Sequence, residues 1–524
     1  MRKIMYAAVA ATLLAAPFGA FAAEPPGEAK AEAAAKGRKE SLAEKIEAAT
    51  AQAPVAETAK TTAHSITAGG KTIRYQATAG TLTIRAADGK PSASVFYVAY
   101  VADAPKGGKR PVTFLYNGGP GSASLWLHMG SVGPVRVRTG SPANTAPAPY
   151  VVEPNEHTLL DRSDLVFIDA VGAGYSRPLG DAKGKDFYGV DQDVDAFAKA
   201  IERWVEINRR WNSPKFLLGE SYGTTRSGAL ANRLQNDGLD LSGVVLLSSI
   251  MNYGVRQPGF DRIYVTYLPS FAATAWYHNR LADRPADLPT FLQQVRAWAE
   301  GPYEAALAKG HNVPDAEKDA VARQLAAYTG LPVDFVKSAN LRVDLSRFRK
   351  ELLRDQRKTL GRFDSRFTGV DADAAGEDPE FDPSSTAITS AYLSSFHDYV
   401  VGELGYQTDL EYRRSADGAN ASWDWTHKGP NGGRMLAPNT AVDLGRALRE
   451  NPHLKVLSMN GWYDMATPFF GTEFDLSHMQ LEPEQRQNVA FTYYPSGHMA
   501  YLSVDVLKQM RADLERFYDQ AAPR

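Results

Sequence analysis

The sequence contains no cysteine, and that single absence excludes disulfides, thiolate nucleophiles and zinc–thiolate sites together. It also lacks an excess of either charge: 58 Lys and Arg stand against 60 Asp and Glu, a formal net charge of −2. The basic residues are scattered rather than gathered into a stripe, so neither nucleic acid nor an anionic membrane surface is expected as a partner. Past the N-terminal stretch there is no run of about 18 consecutive apolar residues, the length a membrane span needs, so no stable membrane insertion is expected. No phosphate-binding glycine loop, no histidine spacing suited to a metal and no internal repeat occurs, and neither cofactor nor metal is expected. Without disulfides, 524 residues must be held by their own core. Single cores stop growing at roughly 250–300 residues, so the chain reads as more than one unit or as one core carrying a large insertion.

What is present begins with Arg2 and Lys3 ahead of an apolar run from Ile4 to Phe18 that closes on Ala20-Phe21-Ala22. A positive start, a short apolar stretch and small residues at alternate positions read as a secretory signal peptide over 1–22, cut after Ala22, with bacterial export to the periplasm or medium. Residues 23–62 are rich in Ala, Glu and Lys and poor in large apolar side chains, the composition of a linker. Alternating segments at Thr72–Ala77 and Gly80–Arg85, and the denser Ser92–Ala102, read as antiparallel strands near a sheet edge.

From there the pattern changes. Val112–Tyr116, Leu165–Asp169, Lys215–Leu218, Gly243–Leu247, Lys455–Met459 and Val489–Tyr493 are short, nearly continuous apolar runs, as expected of parallel strands buried on both faces. Between the second and third, Asp191–Trp211 places Val194, Phe197, Ala198, Ile201, Trp204 and Val205 at helical spacing. Strand–helix alternation predicts a doubly wound, mostly parallel α/β sheet. The strand pattern breaks off after residue 252 and resumes at 454. A core in two parts (63–252 and 454–524), interrupted by a mainly helical cap over 253–453, is therefore expected, with the cap above the carboxyl edge of the sheet where ligands bind in such folds.

The run Lys215-Phe216-Leu217-Leu218 leads straight into Gly219-Glu220-Ser221-Tyr222-Gly223, and a helix-compatible segment follows. G-x-S-x-G between a buried strand and a helix is the sharp turn that lifts a serine nucleophile above the sheet in α/β-hydrolases. A serine hydroxyl needs a base, and in this architecture the partners follow in the order serine, acid, histidine. That order sets aside His64, His128 and His157. His498 lies in the loop after the last strand, whereas its competitor His478 falls in a helical segment. Asp464 lies in the loop after the penultimate strand, with Glu473 and Asp475 as alternatives in the helix beyond it.

Taken together, Asn117-Gly118-Gly119-Pro120-Gly121, Asp169–Ser176, Gly219–Gly223, Asp464 and Gly497-His498-Met499 resemble the serine carboxypeptidase family from about Tyr97 onward, with the cap poorly matched. The resemblance implies Ser221, Asp464 and His498 as the triad, and Gly119 and Tyr222 as donors of the oxyanion N–H groups. It implies Asn117, the Gly118 N–H, Glu220 and Met499 as the site for a peptide substrate with a free C-terminal carboxylate. Glu220 would have to work protonated, since an ionised carboxylate repels another. This chain departs from the family at Ser122, where a cysteine is usual, at Ser131, which aligns with a second supporting glutamate, and at Ala500-Tyr501, where Val-Pro is usual. The same triad would also serve an esterase or acyltransferase.

Overall fold

The computed structural model describes residues 53–103 and 109–522; the expected signal peptide and residues 23–52 of the expected linker lie outside them. Nine strands run through the central sheet: β1 Ala59–Ala68, β2 Lys71–Arg85, β3 Pro91–Ala102, β4 Val112–Tyr116, β5 Asp164–Ile168, β6 Lys215–Glu220, β7 Gly243–Leu247, β8 Lys455–Gly461 and β9 Val489–Tyr494. Their spatial order is β1-β2-β3-β5-β4-β6-β7-β8-β9, and the short strand Arg177–Pro178 adds to β3. β1 to β3 pair antiparallel, β3 meets β5 antiparallel, and every pairing from β5 across to β9 is parallel.

The helices that matter below are α1 Leu125–Gly130, α2 Val190–Ile207, α3 Tyr222–Asn236, α4 Arg262–Tyr277, α5 Thr389–His397, α6 Ala441–Glu450, α7 Phe469–Ser477 and α8 Val504–Ala521. Strand register shows that they cover both faces. Phe114 of β4 is in register with Leu217 of β6, and Phe216 beside it must point the other way. Trp204 of α2 meets Phe114 edge-on at 5.6 Å, while Tyr518 of α8 stacks on Phe216 at 4.2 Å. The sheet is thus doubly wound, and burial on both faces is why its central strands read as unbroken apolar runs rather than alternating ones.

β4 is where the chain reverses its direction of travel across the sheet, since β5 lies on one side of it and β6 on the other. The crevice between the carboxyl ends of β4 and β6 is therefore the topological switch point, the usual ligand site of an open α/β sheet. The loops that leave there are Asn117–Gly121 and Glu220–Ser221.

Two boundaries differ from those expected. β1 begins at Ala59, inside the stretch expected as linker. Its residues (AKTTAHSITA) are small and polar, and its backbone pairing with β2 from Ala59↔Gly80 to Ala68↔Lys71 places them in the sheet. The insertion is also not one cap. Helices α4, Leu288–Trp298 and Asp315–Thr329 build a separate apolar cluster, in which Phe271 stacks on Phe348 at 3.9 Å. From Phe367 onward the chain returns to the main core, burying Tyr392, Phe396, Tyr399 and Tyr412 beside Tyr100 and Phe167. The α/β core resumes at α6 rather than at residue 454. α6 packs on α3 and leads into β8, supplying the crossover that a parallel β7–β8 pair requires.

His427 fastens the end of the insertion to this core. Its Nδ1 lies 2.5 Å from Asp191 of α2 and its Nε2 3.0 Å from Asp443 of α6, and the ring is buried. Burial alone would lower its pKa, but the two carboxylates outweigh it and hold the imidazolium up to about 9. A folded-state pKa above the unfolded value stabilises below the unfolded pKa, and that contribution is lost as pH rises through the folded one. The melting temperature is therefore expected to fall between pH 7 and 9.5, and His427→Gln should flatten that dependence in thermal scans. Among the described residues no helix is long and apolar enough to cross a membrane.

Candidate active site

Ser221 sits between β6 and α3 with φ 62° and ψ −131°, a conformation that costs a non-glycine residue about 1–3 kcal/mol and persists only where the surroundings enforce it. Here they do. The Ser221 N–H donates to Leu247 O at the end of β7 (3.0 Å), and its carbonyl accepts from the Thr224 N–H and hydroxyl (2.8 and 2.7 Å). Gly219 is required because a Cβ there would lie 2.3 Å from Gly223 O. Ser221 is partly exposed, although the residues on either side of it are buried.

The end of β7 also reaches the histidine. Ser248 Oγ donates to His498 O at 2.6 Å, one residue past the carbonyl that holds Ser221. The His498 ring pairs through Nδ1 with Asp464 Oδ2 at 2.8 Å. Donation from Nδ1 fixes the tautomer and leaves Nε2 as the acceptor. Asp464 is buried, and its Oδ1 accepts from the Ala466 and Thr467 N–H groups at 2.8 and 2.9 Å. The Thr467 hydroxyl lies 2.7 Å from Oδ2 and 3.1 Å from His498 Nδ1, so Thr467 helps to position both; its place three residues after Asp464 was its only signal in the sequence. Burial opposes charge on the imidazole, but the Asp464 carboxylate prevails and the His498 pKa is raised.

The cap adds a strap across the same loops. Arg362 O accepts from Met465 N (3.1 Å), Phe363 O from His498 N (2.6 Å), and Ser365 N donates to Tyr463 O (3.0 Å). The Phe363 ring lies 5.1 Å from the imidazole. Arg366, paired with Asp364, donates to Pro495 O and Ser496 Oγ.

Beside Ser221, Glu220 is fully buried, and burial pushes its carboxyl up to about 7. It accepts from Tyr501 Oη at 2.8 Å and lies against the Asn117 side chain. Asn117 Oδ1 accepts from Leu127 N at 2.9 Å, which turns its NH₂ toward Glu220. Gly118 presses on the elbow itself: a Cβ there would lie 2.4 Å from Tyr222 N and 2.8 Å from Glu220 O. The N–H groups of Gly118, Gly119 and Tyr222 donate to no acceptor among the described residues. They form a group of free donors next to the serine, suited to an oxyanion or carboxylate. Met499 is half-buried beside His498.

The competing residues are placed elsewhere. Glu473 pairs with Arg296 at 2.6 Å and accepts from Tyr493, Asp475 accepts from the Met251 and Asn252 N–H groups, and His478 is exposed at the end of α7. His128 is buried against Phe167 and bonded to Tyr100, and burial lowers its pKa to about 3. Ser131 spends its hydroxyl on Leu127 O (2.6 Å) and does not support Glu220. The polar partner of Glu220 is instead Tyr501, visible in the sequence only as a departure from Val-Pro.

Residues 70–260 match the family model described as serine carboxypeptidase. The serine carboxypeptidase-like 51 protein of Arabidopsis thaliana is 36% identical over 104 residues, 19% of this chain and 22% of that protein. The chain thus spans about a fifth of that curated relative's length. The crystal structure of Kex1Δp, a prohormone-processing carboxypeptidase from Saccharomyces cerevisiae, aligns with a TM-score of 0.52 at 15% identity, covering 85% of this chain and 91% of that one. That likeness is one of fold, and the fold is that of the α/β-hydrolases.

Two outcomes are expected. A fluorophosphonate probe should label the wild-type protein but not Ser221→Ala, as read by intact-mass spectrometry. Tyr501→Phe removes a hydrogen bond that favours the charged form of Glu220, so any pH profile governed by Glu220 should move to higher pH in that variant.

Proposed function

We propose, from a chain whose residues 70–260 are of the serine carboxypeptidase family, that the protein is an exported serine carboxypeptidase. The observation that carries this reading is the buried Glu220 carboxyl beside the Ser221 elbow, flanked by Asn117, Tyr501 and the free Gly118 N–H. A serine hydrolase without a carboxylate to bind has no evident use for a buried acid held near neutrality at that point. A peptide's terminal carboxylate would accept from the Asn117 amide, the Gly118 N–H and a protonated Glu220.

Ser221 Oγ attacks the last peptide carbonyl while His498 Nε2 takes its proton. The resulting oxyanion is met by the Gly119 and Tyr222 N–H groups. His498 then passes the proton to the leaving nitrogen, freeing the C-terminal residue and leaving an acyl ester on Ser221. Water, deprotonated by His498, hydrolyses that ester and restores the serine. Asp464 keeps the imidazole aligned and stabilises its charged form throughout. Export rests on the sequence of residues 1–22.

The two titrating groups make opposite demands. The base must be neutral, so activity falls as the raised His498 pKa is crossed from above. Glu220 must be protonated, so affinity for free-acid peptides weakens as pH rises through about 7. Their apparent values belong to the coupled pair, and kcat/KM for a blocked dipeptide is expected to peak close to neutrality. In steady-state kinetics from pH 5 to 9, Glu220→Gln should lose the alkaline rise in KM while keeping the acid limb. A wild-type enzyme that hydrolyses a blocked dipeptide and its C-terminal amide equally well would sink the carboxypeptidase reading and leave an esterase or acyltransferase.

A further inference from the structure

Arg226 lies on α3 one turn beyond the elbow and is completely buried. Its Nε and Nη2 donate to the two oxygens of Asp193 on α2, at 2.7 and 3.1 Å, and its guanidinium lies 3.9 Å over the Phe197 ring. Nη1 donates to Asn117 O at 2.9 Å. Nothing in the reaction described above uses this ion pair, yet it ends on the first residue of the substrate loop.

The contact sets a direction. The Asn117–Gly118 peptide is not among the cis bonds, and in a planar trans peptide the C=O and the following N–H point opposite ways. With the Asn117 carbonyl drawn back toward buried Arg226, the Gly118 N–H is turned away from the guanidinium. It has no acceptor within the described residues. The other polar atoms of Asn117 are fixed separately, its N–H by Ser124 Oγ at 3.2 Å and its Oδ1 by Leu127 N, so the carbonyl is the degree of freedom that Arg226 controls.

We infer that Arg226, with Asp193 as its buried counter-ion, is a positioning residue that aims the Gly118 N–H at the substrate's terminal carboxylate. Preference for a free C-terminus then depends on an ion pair the substrate never touches. This inference rests on the carboxypeptidase reading and deepens it. A lysine at 226 keeps a charge beside Asp193 but lacks the planar fork that serves Asp193 and Asn117 O at once.

The test compares kcat/KM for a blocked dipeptide with that for its C-terminal amide, and adds p-nitrophenyl acetate as a substrate without a carboxylate. Arg226→Lys should lower the acid-to-amide preference about tenfold, the lower end for a hydrogen bond to a charged group, chiefly through KM for the free acid. Turnover of the ester and the amide should change little. The double variant Arg226→Met/Asp193→Leu leaves no unpaired buried charge and should show the same selective loss, which keeps the test open if one variant folds poorly. An unchanged acid-to-amide ratio with a lowered melting temperature would overturn the inference, leaving Arg226 a structural residue. So would an equal loss on all three substrates. Absence of any free-acid preference in the wild type speaks against the carboxypeptidase reading itself, and is read before any variant is made.

Discussion

The Leu247–Ser248 corner at the end of β7 is the contact on which the site depends. One carbonyl there takes the Ser221 N–H, and one hydroxyl reaches the His498 carbonyl. Ser221 and His498, the proposed nucleophile and base, come from loops more than two hundred residues apart, so their spacing is set by that shared neighbour rather than by the chain between them. The corner itself is fixed from the other side, since the Ser248 N–H donates to Met459 O in β8. Parallel packing of β6, β7 and β8 therefore converts sheet register directly into the relative placement of Ser221 and His498.

Glu220 and His498 add a second constraint, because each feels the other's charge. A buried carboxyl near a buried imidazole can share a proton between them, and the proposed reaction needs the state in which both are neutral. Tyr501 biases that balance toward the carboxylate and burial biases it away. Where the resemblance implies a second glutamate, Ser131 stands, and Glu220 is met instead by the Tyr501 phenol, which stays protonated far above neutrality.

Much of this could be read from the residues because the relevant signals were local. Each buried strand run, like the glycine-flanked serine, is a pattern within a few neighbouring residues, and the parallel half of the sheet follows from them. β1 was hidden because small polar residues on an edge strand carry no apolar alternation, and only backbone pairing with β2 reveals it. α6 reads as part of the insertion because it resembles any amphipathic helix until its packing on α3 is known. Arg226 in a helix reads as a surface residue, and its partner Asp193 lies 33 positions away. Pairings of that range leave no pattern in one sequence. Tyr501 stands out in the sequence where Val-Pro is usual in the family it resembles, but its partner Glu220 is visible only in the fold.

The strap formed by Arg362 to Ser365 has a consequence for how such an enzyme could change its diet. The Arg362 and Phe363 carbonyls and the Ser365 N–H carry hydrogen bonds that hold the acid and histidine loops, while the Phe363 ring lies beside the imidazole and the Asp364 and Ser365 side chains are buried against Arg366 and Thr274. Selection for a new substrate would have to act on side chains while leaving the carbonyls where they are. Exchange at exposed Arg362 leaves that backbone in place, whereas insertion or deletion within the strap would carry the imidazole with it. The insertion and the two loops that carry Asp464 and His498 are thus inherited together, through one short stretch of chain.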